Sequence, residues 1–291
     1  MSTFQLFAAC VAIWGSTWLA ITFQLEGHVA PEASVFYRFL LASVLLFGYC
    51  LARRLPLRYT ARQHAWIALQ GALMFSVSYL FVYYAEQHVV SGLVAMGYSA
   101  SPLLGMLGMR IVFGTPMTAR IAMGSALGIA GIGLVFYPEL AHLRGGGEPV
   151  LGAIFTALAV FVSTLGSLAA HRNQQARLPL WQSMAWGMLY GSGLSLAVTF
   201  AMGKTLAFEP TRAYVLSLLY LAVLGSIVAF AGYLTLLRRI GPARSGYIGV
   251  MVPIVALCLS SIFERFDWHL ATFAGIAISV AGNIVILRER Q

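Results

Sequence analysis

The side chains of this 291-residue chain able to hold a small molecule are few and lie in apolar surroundings. Arg38 is the one base inside an apolar run. A charge there is costly to bury, which makes it a candidate for binding a substrate carboxylate. It stands about six residues, roughly 9 Å, from the end of its run, so snorkelling or bonding to loop carbonyls competes with that role, and the structural role is favoured. Phe75, Tyr79 and Tyr83 form an aromatic stripe at helical spacing, and Tyr98 and Ser99 stand just ahead of Pro102. Tyr83 and Tyr84 suit an interfacial belt. The deeper Tyr79 and Tyr98, with Ser99, Trp14, Ser163, Phe230 and Tyr247, are the candidate substrate-binding set, an apolar wall with a few hydroxyls. Pro102 and Pro253 each remove a backbone donor and release the carbonyl four residues earlier, of Tyr98 and of Gly249. Such prolines are also common as plain kinks.

Catalysis and metal binding find little support. His28, His64, His88, His142, His171 and His269 are not at ligand spacing from one another or from a cysteine. Cys10, Cys50 and Cys258 fall in apolar runs as small hydrophobes. No catalytic residue, metal or cofactor is expected.

The elements that must position these residues follow from composition. A chain 60% hydrophobic and 9% charged, with mean hydropathy +0.83, is not an ordinary soluble domain, which carries about 25% charged residues. It is too apolar for disorder. Apolar runs separated by polar breaks predict ten spanning helices, at about 4–24, 32–52, 64–85, 90–112, 119–137, 149–170, 180–202, 212–236, 243–262 and 269–287. The start of the chain lacks a basic region and a small-residue cleavage site, so the first run reads as a retained helix.

If every run spans once, Arg53, Arg54, Arg58, Arg62, Arg110, Arg120, Arg172, Arg177, Arg238, Arg239, Arg244, Arg288 and Arg290 share one face with both termini. Only Arg144, Lys204, Arg212 and Arg265 lie opposite, and all the acids but Glu289 lie with them. The positive-inside rule then places both termini in the cytoplasm. The net charge of +9 becomes a dipole across the bilayer, which anionic lipid and topology explain without nucleic acid as a partner.

The chain also resembles itself. At an offset of 151, Pro102 meets Pro253, Gly124 meets Gly275, and Ala130-Gly131 meets Ala281-Gly282; the early helices match more loosely at 147 to 148, as Pro31 does with Pro179. Chance coincidence is the alternative. Duplication of a five-helix unit, 1–144 and 149–291 about the linker Arg144–Pro149, explains the spacing better. An odd helix number inverts the second copy, so the fold expected is an all-α membrane protein of two inverted five-helix repeats, with a site at mid-membrane between them. Gly124, Gly128 and Gly131 oppose Gly275, Ser279 and Gly282 as a small-residue stripe suited to close helix packing.

Trp14-Gly15-Ser16-Thr17-Trp18, Pro31 followed by Arg38-Phe39-Leu40-Leu41-Ala42, and the repeated proline, acid or its substitute, and glycine at successive steps of eleven resemble the EamA-type branch of the drug/metabolite transporter superfamily. The likeness covers nearly the whole chain and is greatest to amino-acid exporters of the YddG type. Phe113 stands where the first copy of the pattern would have the acid matching Glu264. The resemblance implies a bacterial inner-membrane carrier, exporting small metabolites by alternating access, amino acids with aromatic or hydrophobic side chains foremost. Its partners would be that small molecule and the lipid bilayer, with oligomeric state open and a monomer acceptable. An integral-membrane enzyme, or a nucleotide-sugar or lipid translocator of the same fold, is the alternative. With Glu86 and Glu264 placed only at helix ends close to water, facilitated transport without proton coupling is expected.

Overall fold

The computed structural model describes residues 1–114, 118–141, 148–245, 247–264, 266 and 268–287. These form ten helical units: α1 Thr3–Leu25, α2 Pro31–Ala52, α3 Ala61–Glu86, α4 Ser91–Phe113, α5 Ala119–Ala141, α6 Glu148–Gln175, α7 Leu180–Ala201, α8 running from Arg212 through Ser245, α9 Tyr247–Phe263 and α10 Leu270–Leu287. Seven are long and apolar enough to cross a membrane, and α5, α9 and α10 carry shorter described apolar stretches. Local chemistry sets the ends. Ser2 with Gln5 and Thr60 with Gln63 form reciprocal capping boxes at the starts of α1 and α3. Pro31 opens α2, where its missing donor costs nothing. Helices α2 and α7 end alike, in left-handed residues Arg54 (φ 51°) and Gly203 (φ 68°), with Leu55 and Lys204 donating back to Cys50 and Thr199.

Burial is inverted relative to a soluble protein. Leu51, Ile111, Leu216, Ile262 and Leu270 are all more than 60% exposed, while Gln24, Glu32, Arg38, Ser76 and Ser195 are fully buried. Apolar surface outside and polar groups within suits a hydrocarbon surround. Hydroxyls inside helices bond to the preceding turn, as Thr156 does to Gly152 and Thr164 to Val160.

The packing respects the duplication. α2 pairs with α7, α4 with α9 and α5 with α10; α1 packs on α8 as α6 packs on α3, and α1 on α9 as α6 on α4. Exchanging the two halves maps this set of pairs onto itself. The α5–α10 seam is a glycine contact: an added Cβ would lie 2.5 Å from the Ser279 nitrogen at Gly131, 2.6 Å from the Gly131 oxygen at Gly275 and 2.5 Å from the Gly124 oxygen at Gly282. Gly128 differs from the rest of the stripe. It is buried and its nitrogen abuts Gly282, yet a Cβ on Gly128 itself would meet nothing.

One feature departs from regular helices. α3 passes through a π-helical turn at Leu73–Val77 and α8 through another at Leu221–Val228. Their starts are 148 residues apart, the offset of the early repeat. α4 is also interrupted, by the 3-10 turn Tyr98–Ala100 directly before Pro102.

Candidate functional site

The centre of the bundle is arranged in layers between the arginine-rich face, here the basic face, and the opposite, acidic face. Toward the basic face lies a cavity of about 60 Å3, with Gln70 and Met74 from α3, His171 and Gln174 from α6, and Tyr233 from α8 in its wall. That volume admits a few water molecules. Phe75 and Phe230 form its deep end.

Those two rings belong to an aromatic layer. Phe75 packs edge-on against Phe230 at 5.4 Å, Phe230 against Trp14 at 5.2 Å, and Phe75 against Phe39 at 5.4 Å. The π-turns build this layer. A π-turn adds one residue to the helix and loosens the hydrogen-bond ladder; in α8 the Gly225 carbonyl accepts the Trp14 indole N–H at 3.2 Å. Glycine is needed at that point, because a Cβ would lie 2.7 Å from Thr17 Cγ2.

Beyond the aromatic layer lies Arg38, fully buried. Its Nε donates to Ser226 Oγ at 3.1 Å, Ser226 in turn donates to the Leu221 carbonyl five residues back, and Nη2 reaches the Tyr79 hydroxyl at 3.5 Å. The guanidinium lies over the Tyr79 ring, 4.4 Å from its centre, a contact that favours a cation. Nη1 has no partner among the described residues. Nearby groups share that condition: Trp18 Nε1, Gln24 Nε2 and both carboxylate oxygens of Glu86 are buried and unpartnered. Gln24 accepts from the Tyr83 hydroxyl at 2.5 Å, and Trp18 packs on Tyr98 at 5.1 Å. Arg38 is a feature of one half only, since at the offset relating Pro31 to Pro179 its counterpart is Trp186.

The acidic face is closed by polar contacts between the halves. Lys204 donates to Glu32 at 3.0 Å, with Tyr84 on the same carboxylate. His88 pairs with Glu148, and the His28 N–H reaches Glu209 at 3.1 Å. Glu264 accepts from the Ser91 N–H at 3.1 Å and from the Ser91 and Ser260 hydroxyls at 2.5 Å. It thereby places a negative charge on the first turn of α4, where the helix dipole favours one. The repeat puts Phe113 and Pro242 in the equivalent positions near the basic face, and the Phe113 ring lies against His171 at 5.4 Å, an aromatic contact in place of the carboxylate.

Of the candidate set, Trp14, Tyr79, Tyr98 and Phe230 fall in this central region, and Ser163 supplies a hydrogen-bonding partner to Tyr98. Ser99 is buried with its hydroxyl toward Met96 Sδ at 3.8 Å. The Tyr247 side chain, like residues 142–147 of the expected linker, lies outside the described residues. Pro253 is buried inside α9, and Pro102 faces Gly249 across the α4–α9 contact. Sequence reasoning passed over Trp18, Gln24 and Ser226. It also set Glu86 close to water, whereas its carboxylate oxygens are buried. Among the described residues, no three His, Cys, Asp or Glu side chains gather as metal ligands.

The chain belongs to the EamA-like transporter family, whose model matches it twice, at residues 1–137 and 150–288. It is 30% identical over 274 residues to the uncharacterized inner membrane transporter YedA of Escherichia coli K12, covering 90% of this chain and 84% of that one. It is 26% identical to a probable terminal-alkyne amino-acid exporter of Streptantibioticus cattleyicolor (96% and 91% covered) and 23% identical to protein PecM of Dickeya dadantii (98% and 92%). A solved crystal structure shares the fold at TM-score 0.71 and 19% identity, covering 98% of this chain and 96% of that chain. The protein is thus a membrane transporter of small molecules, built as two five-helix repeats.

Proposed function

We propose that the protein exports amino acids, those with apolar or aromatic side chains foremost, by alternating access between repeats bounded near 1–144 and 149–291, with both termini in the cytoplasm of a bacterial cell. The observation that carries this reading is the pair of π-turns, at equivalent places in α3 and α8, bordering one aromatic layer. Paired interruptions in the two halves are where such carriers hold substrate. Trp14, Phe75, Tyr79, Tyr98 and Phe230 offer an apolar side chain flat, low-entropy surfaces. Ser99 and Ser163 add hydroxyls at the rim, Tyr247 is carried in the candidate set on sequence grounds alone, and Pro102 and Pro253 let α4 and α9 bend as access alternates. The amino-acid class draws further support from the exporter among the relatives.

In this reading the closed acidic face and the cavity toward the basic face describe a cytoplasm-facing state before substrate enters. The transporter reading is preferred to an enzyme because the family model and the named relatives are transporters. A nucleotide-sugar carrier would require several fixed cations around a diphosphate, whereas Arg38 stands alone in the described interior.

Counterflow with the pure protein in liposomes tests the function. Trapped unlabelled phenylalanine or leucine should drive transient accumulation of the labelled amino acid. Accumulation no greater than in empty liposomes, for any amino acid in a full panel, would overturn the assignment.

A further inference from the structure

The buried polar groups beyond the aromatic layer have a property that packing does not explain. Arg38 and Glu86, a base and an acid, lie within electrostatic reach of each other, yet form no ion pair among the described residues. Arg38 spends Nε and Nη2 on Ser226 and Tyr79 and keeps Nη1 unpartnered; Glu86 keeps both oxygens unpartnered. A direct pair would satisfy both. Leaving buried polar atoms without hydrogen-bond partners is costly in general, and such a cost persists where something else is to be bound. The surrounding orphans sort by sign. Trp18 Nε1, Gln24 Nε2 and Arg38 Nη1 are donors, and the acceptors are the oxygens of Glu86.

Helix direction brings the two charges to one level. Side chains lean toward the N-terminus of their helix. Arg38 lies in the first half of α2, which begins at the acidic face, and therefore leans toward that face. Glu86 ends α3, which begins at the basic face, and therefore leans back into the bundle. Tyr83 is bonded to Gln24, in side-chain hydrogen-bonding contact with Arg38 and within electrostatic reach of Glu86. The Tyr98 ring, also in the field of Glu86, flanks the group from α4.

We infer that Arg38 and Glu86 form a split receptor for the two ends of a zwitterion: Arg38, with Gln24 and Trp18, takes the α-carboxylate, and Glu86 takes the α-ammonium. The inference rests on the amino-acid reading above and narrows it. The apolar side chain of the bound molecule would lie toward Tyr79, Phe75 and Phe230. Binding supplies the partners that the free protein lacks, so charge recognition adds affinity without first breaking a protein ion pair. Glu264 is also within electrostatic reach of Glu86, but its own oxygens are already occupied by Ser91 and Ser260.

The test uses the wild-type protein first. In counterflow, phenylalanine should be the best of four competitors. Phenylalanine amide lacks the carboxylate, 3-phenylpropanoate lacks the ammonium, and 2-phenylethylamine lacks the carboxyl group; each should compete at least tenfold less well. If phenylalanine counterflows and either the amide or the propanoate competes equally, the split receptor is wrong while the amino-acid function stands. If no amino acid counterflows, the function itself is wrong, and the inference falls with it. Glu86→Gln is close to isosteric and keeps the side chain polar, so it should remain folded. It should weaken phenylalanine at least tenfold while changing 3-phenylpropanoate little. Equal loss for both ligands, or no loss for phenylalanine, would remove Glu86 from the site. Arg38→Lys, checked for monodispersity first, should weaken phenylalanine more than 2-phenylethylamine; equal effects on both would leave Arg38 as a structural group.

Discussion

Glu264 shows how one residue can hold a face shut. Its carboxylate joins the end of α9 to the first turn of α4 through Ser91 and Ser260. Replacing it by alanine strands the Ser91 N–H and removes a charge from a helix N-terminus, a loss of about 1 to 2 kcal/mol. Glu264→Ala should therefore lower the melting temperature in detergent and speed amide hydrogen exchange in the first turn of α4, where the Ser91 N–H loses its acceptor. Unchanged exchange would show that the acidic face is held by other contacts. Gly282 illustrates the opposite kind of dependence, on having no side chain. Leucine there must displace the backbone of α5 at Gly124 and Gly128. Overpacking of this sort costs about 1 to 3 kcal/mol or more, and Gly282→Leu should give little monodisperse protein. Gly128→Ala, whose Cβ meets open space, should be tolerated. Equal yields from the two variants would contradict the seam.

Among the helices, those expected from apolar runs agree with the observed ones to within about five residues, because a span's length and its polar flanks are written in composition; the exception is α8, which continues to Ser245, past the expected end at 236 and through the expected start of the ninth run at 243. The bends inside them were legible only in part. Pro102 marks its interruption by a missing donor, but the π-turns at Leu73–Val77 and Leu221–Val228 carry no proline. One bond that holds them is local, Ser226 bonding five residues back; the others are tertiary, Trp14 on the Gly225 carbonyl and Ser76 with Ser195 at 2.7 Å. For the same reason Glu86 was misjudged. Counting along a helix gives the depth of a Cα, and a long side chain leaning toward the N-terminus carries its charge well away from that depth. The expectation of facilitated transport was tied to the belief that Glu86 sits near water, and it loses that support. Deleting Met74 tests the π-turn. One residue fewer converts the turn to regular α-helix, so the fold should survive better than on deleting Leu69 from regular helix, while counterflow is lost because Phe75 and Tyr79 no longer reach the centre. Equal damage to folding from the two deletions would show that the π-turn is not a stored extra residue.

At the scale of the whole molecule, the two halves are alike in packing and unlike in chemistry. Arg38 faces no counterpart but Trp186, and Glu264 none but Phe113. Symmetric architecture supplies two access states, and the asymmetry biases their populations. Orientation follows from the arginines. In a cysteine-free background, an impermeant reagent applied to intact cells should label a cysteine at the exposed Thr205 and leave one at the exposed Gln175 untouched until the membrane is opened; the reverse pattern would invert the topology. The central claim, that a carrier of this fold recognises free amino acids through its buried charges and aromatic layer, is tested most directly by counterflow of labelled phenylalanine in liposomes, with phenylalanine amide and 3-phenylpropanoate as competitors. Accumulation that free phenylalanine abolishes, and that each analogue inhibits at least tenfold less well, is the result expected; no accumulation, or inhibition by the analogues equal to that of phenylalanine, would contradict it.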